Sequence, residues 1–446
     1  MLEQPRVFGA ELRRLRLEAG LTLTQLAAMV HYSKGQLSKI ETGGKQAGSE
    51  LARLCDAALD AGGRLAALAP AEPARRRTGH RAGDPGEVLA SPLPWRTPEG
   101  AIPSAPYSSP PPEWSPPPSR RQVITAGAAS VLAVGASEPQ LATAGQPGTG
   151  DDTLLDTYRT LLSHFRRLGQ MSPPDVLVPV LAEQTRALTS LATRTGSRTG
   201  RELLAVAARY AEYTGWLAQE AGDEGAALRW TTHAVELAAA SGDDGLASYA
   251  LVRRALITYY RGEATYTIAL AEGARAGNLP PRIRGLATQR AAQGHALAGD
   301  HTACMRGLDQ ARVLLREEPG RAGAPVLGPT HLSDPVSMIT GWCLVDLGRP
   351  RAAAEILDQE CARVPAGALR TEARYGVRRA LAHALAGEID HACALTGGLL
   401  PLTANVASAT VRTDLRRLAR TLARHPRHRS YLAIASQLTA ALTPAT

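Results

Sequence analysis

The chain has 446 residues, room for two or three domains, and carries a formal charge of +9. Two Phe in the whole chain leave the core to Leu, Ala and Val, a composition that favours helices over strands. Five scattered cysteines, odd in number and never in a C-x-x-C, argue against a disulfide framework and read as reduced core residues of a cytosolic protein.

In chain order, helix 1 is predicted from about Val7 to Glu18, with Phe8, Leu12 and Leu15 inward and Arg13 and Arg14 outward. Residues 22–44, T-L-T-Q-L-A-A-M-V-H-Y-S-K-G-Q-L-S-K-I-E-T-G-G, then read as two short helices joined by a turn at His31-Tyr32. Thr22 caps the first, whose inward positions are Leu23, Leu26, Ala27 and Val30. Ser33 caps the second; Leu37 and Ile40 face inward, Lys34, Gln36, Ser38 and Lys39 face out, and Gly43-Gly44 stops it. A helix apolar on one side, with basic and amide groups on the other, suits a major groove, where lysines neutralise phosphates or donate to guanine and Gln pairs with adenine. Gly35 weakens the helix but lets its backbone approach another molecule. A fourth helix starts after Ser49 and buries Leu51, Leu54 and Ala58; Gly62-Gly63 ends it, and R-L-A-A-L-A at 64–69 closes a five-helix unit over residues 1–69.

Charge is unevenly placed: residues 1–81 hold 13 basic against 8 acidic side chains. The protein's three lysines are Lys34, Lys39 and Lys45, all around that second short helix, and every other basic side chain is Arg. A small basic domain is expected of a nucleic-acid binder.

Residues 8–60 resemble the phage-repressor and Cro-like helix-turn-helix family, called Xre, through F-G-A-E-L-R-R-L-R-L-E-A-G, L-T-x-x-Q-L-A, S-K-G-Q-L-S-K-I-E-x-G and the amphipathic helix that follows. The resemblance implies that Gln25 holds a phosphate from the start of helix 2. By the same carry-over Lys34, Gly35, Gln36 and Lys39 face bases, Ser33 and Ser38 sit near the DNA backbone, and Arg16 and Glu41 form a buried ion pair between helix 1 and the recognition helix. A-G-S before helix 4 departs from the family's usual proline, which leaves the loop at Lys45-Gln46 to be decided by the structure; Lys45 is counted with the DNA contacts.

Residues 70–151 read as a linker. Arg75, Arg76, Arg77 and Arg81 make a basic start to it, and twelve of the 31 prolines fall between Pro85 and Pro118, which implies an extended, semi-rigid spacer. Residues 119–136, S-R-R-Q-V-I-T-A-G-A-A-S-V-L-A-V-G-A, resemble a twin-arginine export signal, but one placed internally and with an apolar run of about 15 residues, short of the roughly 20 needed to span a bilayer. A segment packed on the protein or unordered is the expectation, with membrane attachment or export from an internal start as the alternatives.

From residue 152 to 446 the chain reads as helical repeats. Turn motifs recur at Gly222, Gly262, Gly299, Gly348 and Gly387, in steps of 40, 37, 49 and 39 residues. Each glycine is expected to end a helix, Asp223 and Asp300 to cap the next, and Ala226, Ala303, Ala352 and Ala392 to let paired helices approach closely. The pattern resembles a degenerate tetratricopeptide (TPR) array, which implies an α-solenoid with a concave binding groove. Candidate lining residues are Tyr210, Tyr213, Arg253, Arg254, Tyr259, Tyr260 and Arg290. The combination resembles Gram-positive peptide-responsive regulators, although those hold peptides with groove asparagines and this chain has two, Asn278 and Asn405.

No G-x-x-x-x-G-K-S/T, G-x-S-x-G or H-E-x-x-H is present, and the eleven histidines form no metal-spaced cluster, so no enzyme, catalytic residue, cofactor or metal site is expected. The expectation is therefore an all-α protein with an N-terminal five-helix HTH domain, a Pro-rich linker and a C-terminal solenoid of TPR-like helix pairs. It would act as a cytoplasmic, homodimeric transcriptional regulator on double-stranded DNA, with a peptide, small molecule or protein in the repeat groove. A protein-interaction scaffold with a residual HTH is the alternative.

Overall fold

The apolar spacing read along the chain is realised as helices throughout a computed structural model, which describes residues 4–69, 149–243, 245–277, 279–316, 327–329 and 331–443. The basic run at 75–81, the proline-rich spacer and the twin-arginine-like segment at 119–136 lie outside the described residues. Among the described residues there is no strand, and no helix is long and apolar enough to cross a membrane.

Five helices form the N-terminal unit: α1 (Gln4–Glu18), α2 (Leu23–Met29), α3 (Lys34–Glu41), α4 (Ser49–Ala58) and α5 (Arg64–Leu68). Phe8, Leu12, Leu26, Leu37 and Leu65 are buried together and orient them. Leu23 and Ala58, expected inside, are only half-buried because each sits at the rim of its helix's inward stripe. Gly9 lets α1 cross α3 backbone to backbone: a Cβ there would lie 2.8 Å from the Glu41 carbonyl oxygen. Asp56, buried on α4, accepts from the amides of Leu65 and Ala66 at 3.1 and 2.7 Å, so α5 is capped by a neighbouring helix rather than by its own flank.

Among the described residues fourteen further helices follow in chain order. They are α6 (Thr149–Met171), α7 (Pro174–Ala192), α8 (Ser197–Ala221), α9 (Glu224–Ser241), α10 (Gly245–Tyr260) and α11 (Ala264–Gly273). Then come α12 (Pro281–Ala298), α13 (His301–Arg316), α14 (Pro335–Asp346), α15 (Pro350–Cys361), α16 (Leu369–Leu385), α17 (Ile389–Val406), α18 (Ala409–Leu422) and α19 (Arg429–Leu442). The helix Thr149–Met171 thus includes residues 149–151, which the sequence reads as linker. All five repeat glycines adopt positive φ, from 72° at Gly348 to 91° at Gly222, and Asp223 and Asp300 each accept the amide of the residue three positions on. The small interface position is the expected one at Ala226 and Ala392, which are buried, and is shifted by one residue in the turns after Gly299 and Gly348. Ala352 is exposed and Ala303 half-buried, whereas the residues five past each glycine, Ala227, Thr267, Cys304, Ala353 and Ala392, are all buried. One residue is about 100° of helix, enough to turn a side chain from the partner helix to solvent.

The array does not present an open groove. It curls until α6 meets α16: Arg370 on α16 donates from Nε to the Gly169 carbonyl at 2.7 Å and from NH2 to the Ser172 carbonyl at 2.6 Å. Beside it, the Thr371 hydroxyl donates to the Gln170 side chain at 2.8 Å. Glu220, fully buried at the end of α8, accepts from Arg374 and from the hydroxyls of Ser408 (2.6 Å) and Thr410, and pairs with Arg370 at 3.5 Å. One carboxylate thereby ties α8, α16 and α18 together. Although burial works to raise its pKa, Arg374 and Arg370 hold it below the usual value, so it stays ionised.

Candidate nucleic-acid interface and the cavity of the helical array

The position of α3 is set by three local devices. Thr22 and Gln25 form a capping box on α2, with the Thr22 amide donating to Gln25 Oε1 at 2.8 Å and the Gln25 amide to the Thr22 hydroxyl at 3.2 Å. Ser33 accepts from the Gln36 amide at 3.2 Å and starts α3. His31 makes the sharp turn between them at φ 53°, a left-handed conformation. Arg16 then fixes α3 against α1: its Nε and NH2 grip the two Glu41 oxygens at 2.6 and 2.9 Å, and NH1 donates to the Leu21 carbonyl at 2.8 Å.

With Leu37 and Ile40 buried, the opposite side of α3 faces outward. Ser33, Lys34, Gly35, Ser38 and Lys39 are exposed, as are Gln25 at the start of α2 and Lys45 beyond α3; Gln36 is half-buried. Nothing lies within 4 Å of the space in front of Gly35, so a flat ligand edge has access to the backbone there. Because the Gln25 oxygen is committed to the cap, its NH2 group is the part left to donate to a phosphate. The proline-free loop at Lys45-Gln46 keeps α3 closed off by a Lys45 amide bond to the Lys39 carbonyl at 3.0 Å.

The helix-turn-helix unit rests on the array through its other side. Glu50 on α4 accepts from Arg417 at 3.1 Å and from Arg424, whose guanidinium also lies 4.5 Å over the Tyr32 ring. The repeat turns supply the floor: Gly348 packs under the Arg53 carbonyl, Gly387 under the His31 ring and Gly299 against Gly63 and Ala66. At Gly387 a Cβ would sit 2.6 Å from the imidazole. These glycines answer two demands at once, positive φ and close approach.

Inside the ring lies a cavity of about 140 Å³. Tyr213, Arg253 and Arg290 line it, as the sequence reading anticipated. Tyr210 and Tyr259 do not: the first is buried against α6 with its hydroxyl on the Tyr158 carbonyl, the second is buried with its hydroxyl on Asp346. Arg166, Trp216, Trp342, Arg370 and Arg374 line the cavity without having been singled out. A signal for part of this was present, since Arg370, Arg374 and Arg378 recur every four residues on one otherwise apolar helix face.

From the cavity wall a polar chain runs to the helix-turn-helix unit. Trp342 Nε1 donates to the Tyr259 hydroxyl, which donates to Asp346; Asp346 accepts from Arg417 at 2.7 Å, and Arg417 reaches Glu50. Burial opposes the charge on Asp346, but Arg378, Arg417 and Arg53 prevail and hold its pKa at about 2. Elsewhere Asp358, His383 and His391 bring their ligating atoms within 4.8 Å of one another, a cluster that tertiary packing assembles from residues far apart in sequence. Arg379 already pairs with Asp358, and the His383 ring hydrogen-bonds Glu388 through Nδ1 at 2.6 Å and Asp358 through Nε2 at 3.1 Å.

Residues 7–69 match the family model of a helix-turn-helix domain. Comparison with curated proteins and with solved structures found no match.

Proposed function

We propose that a helix-turn-helix domain with its reading face open makes this chain a sequence-specific, double-stranded-DNA-binding transcriptional regulator of the Xre type, acting in the cytoplasm. The observation that carries the reading is the two-sidedness of α3: Leu37 and Ile40 are buried while Lys34, Ser38 and Lys39 stand clear of the docked array. Two copies in a homodimer would address successive major grooves about 34 Å apart. The TPR-like array would bind rather than catalyse, sensing a ligand and shifting the population competent for DNA. Its closure by the Arg370 contacts favours a compact ligand over a peptide or protein laid along a groove, and so tells against the scaffold alternative.

Gel-shift titration at two salt concentrations tests the assignment. Lys34→Ala with Lys39→Ala is expected to weaken binding about tenfold or more and to reduce the salt slope by about 2. Unchanged affinity and slope would remove these residues from the interface.

A further inference from the structure

The cavity has an excess of positive charge. Arg166, Arg253, Arg290, Arg370 and Arg374 line it, and Glu212 is its one acidic lining residue. Arg370 and Arg374 share Glu220 behind them, and Arg253 reaches Glu212 at 3.7 Å. Arg290 has no carboxylate partner among the described residues; its hydrogen bond goes to the neutral amide of Gln293. Burial, reinforced by Arg253, pushes its pKa down to about 10. Nε of Arg253, of Arg290 and of Arg374 are all buried without an acceptor. Water in such a space can satisfy donors but cannot neutralise charge, and a buried cation without a counter-ion is among the costliest arrangements a protein holds.

The walls are of a different kind. Tyr213 and Trp216 stack at 5.3 Å and 27°, and Trp342 meets Tyr375 edge-on at 5.7 Å. A cavity near 140 Å³ is about the size that accepts a single benzene-like ring.

We propose that the ring encloses a site for a small organic anion, a carboxylate or phosphate head group on one compact ring-sized body. Arg290 and Arg253 would hold the head group and the Tyr213–Trp216 and Trp342–Tyr375 walls the body. The proposal rests on the reading of the array as a sensor and names the chemistry of what it senses.

Calorimetric titration of the full-length protein with benzoate, phenyl phosphate, inorganic phosphate and neutral benzamide, without DNA, tests it. One benzoate or phenyl phosphate per chain is expected, with whichever binds more tightly identifying the head group. Benzamide and inorganic phosphate are each expected to bind about tenfold or more weakly than the better acid. Arg290→Met should abolish the binding while raising the melting temperature of the ligand-free protein, and Arg290→Lys should retain part of the affinity. Absence of saturable binding by both aromatic acids, benzamide binding as well as they do, or unaltered binding in Arg290→Met would overturn the site. Inorganic phosphate binding as tightly as phenyl phosphate would overturn the role of the aromatic walls. Since no DNA is present, failure here leaves the gel-shift result standing, and failure of the gel shift leaves this site standing.

Discussion

Arg16 and Glu41 show how much one pair of side chains decides at the residue scale. Both are nearly sealed, with side chains 10% and 7% exposed, and the pair joins α1 to the end of α3. Removing one member leaves a buried charge alone, so Arg16→Ala is expected to cost about 3–5 kcal/mol in urea unfolding, and Arg16→Met with Glu41→Leu far less. An equal loss in both variants would mean that packing, not the charge pair, is at stake. Asp346 is the acid-sensitive counterpart. Its pKa of about 2 lies below the unfolded value near 4, so its contribution is complete above about pH 4 and lost as pH falls through about 2. Asp346→Asn should therefore be destabilised at pH 7 and approach the parent protein between about pH 4 and 2. A stability gap that stays constant down to pH 2 would contradict this.

At the scale of elements the repeat turns separate conformation from contact. Gly262 and Gly348 have nearly the same φ, 77° and 72°, but nothing approaches Gly262 whereas Gly348 underlies Arg53. Gly262→Ala should cost about 1 kcal/mol, the penalty of a Cβ at positive φ. Gly348→Ala should cost more and raise hydrogen exchange in α4 selectively. Matching stability losses and exchange patterns in the two variants would show that the glycine floor does not hold the helix-turn-helix unit. These turns were legible in the sequence because a left-handed residue at a helix end is a local demand that glycine meets best. Among the small residues that follow, Ala226 and Ala392 are buried as expected, but Ala303 and Ala352 miss the buried Cys304 and Ala353 by one position, because which side of a helix faces its partner depends on packing that no single turn specifies.

On the scale of the whole molecule, the ion pairs around Glu50 join two units whose described residues are separated by 79 positions in sequence, between Ala69 and Thr149. Glu50→Ala is expected to raise hydrogen exchange over residues 49–58 while the ring contacts at 169–172 keep their protection, because Arg417 and Arg424 lose their shared acceptor. Unchanged protection of 49–58 would assign the docking to apolar contact alone. The same variant interrupts the chain Trp342–Tyr259–Asp346–Arg417–Glu50, which connects the cavity wall with the helix-turn-helix unit.

The sequence by itself determined the helices, the two caps at Thr22 and Ser33, the glycine turns and the outward basic face of α3, since each depends on residues within a turn or two of one another. It also carried the Arg16–Glu41 pair, through the resemblance of a whole spaced pattern. Only the tertiary structure decided that the array closes, that Gly169 and Ser172 meet Arg370 some 200 positions away, and which arginines face the cavity. The reason is physical: periodicity fixes a side chain's direction relative to its own helix axis, while curvature summed over the whole helical array fixes what that direction meets.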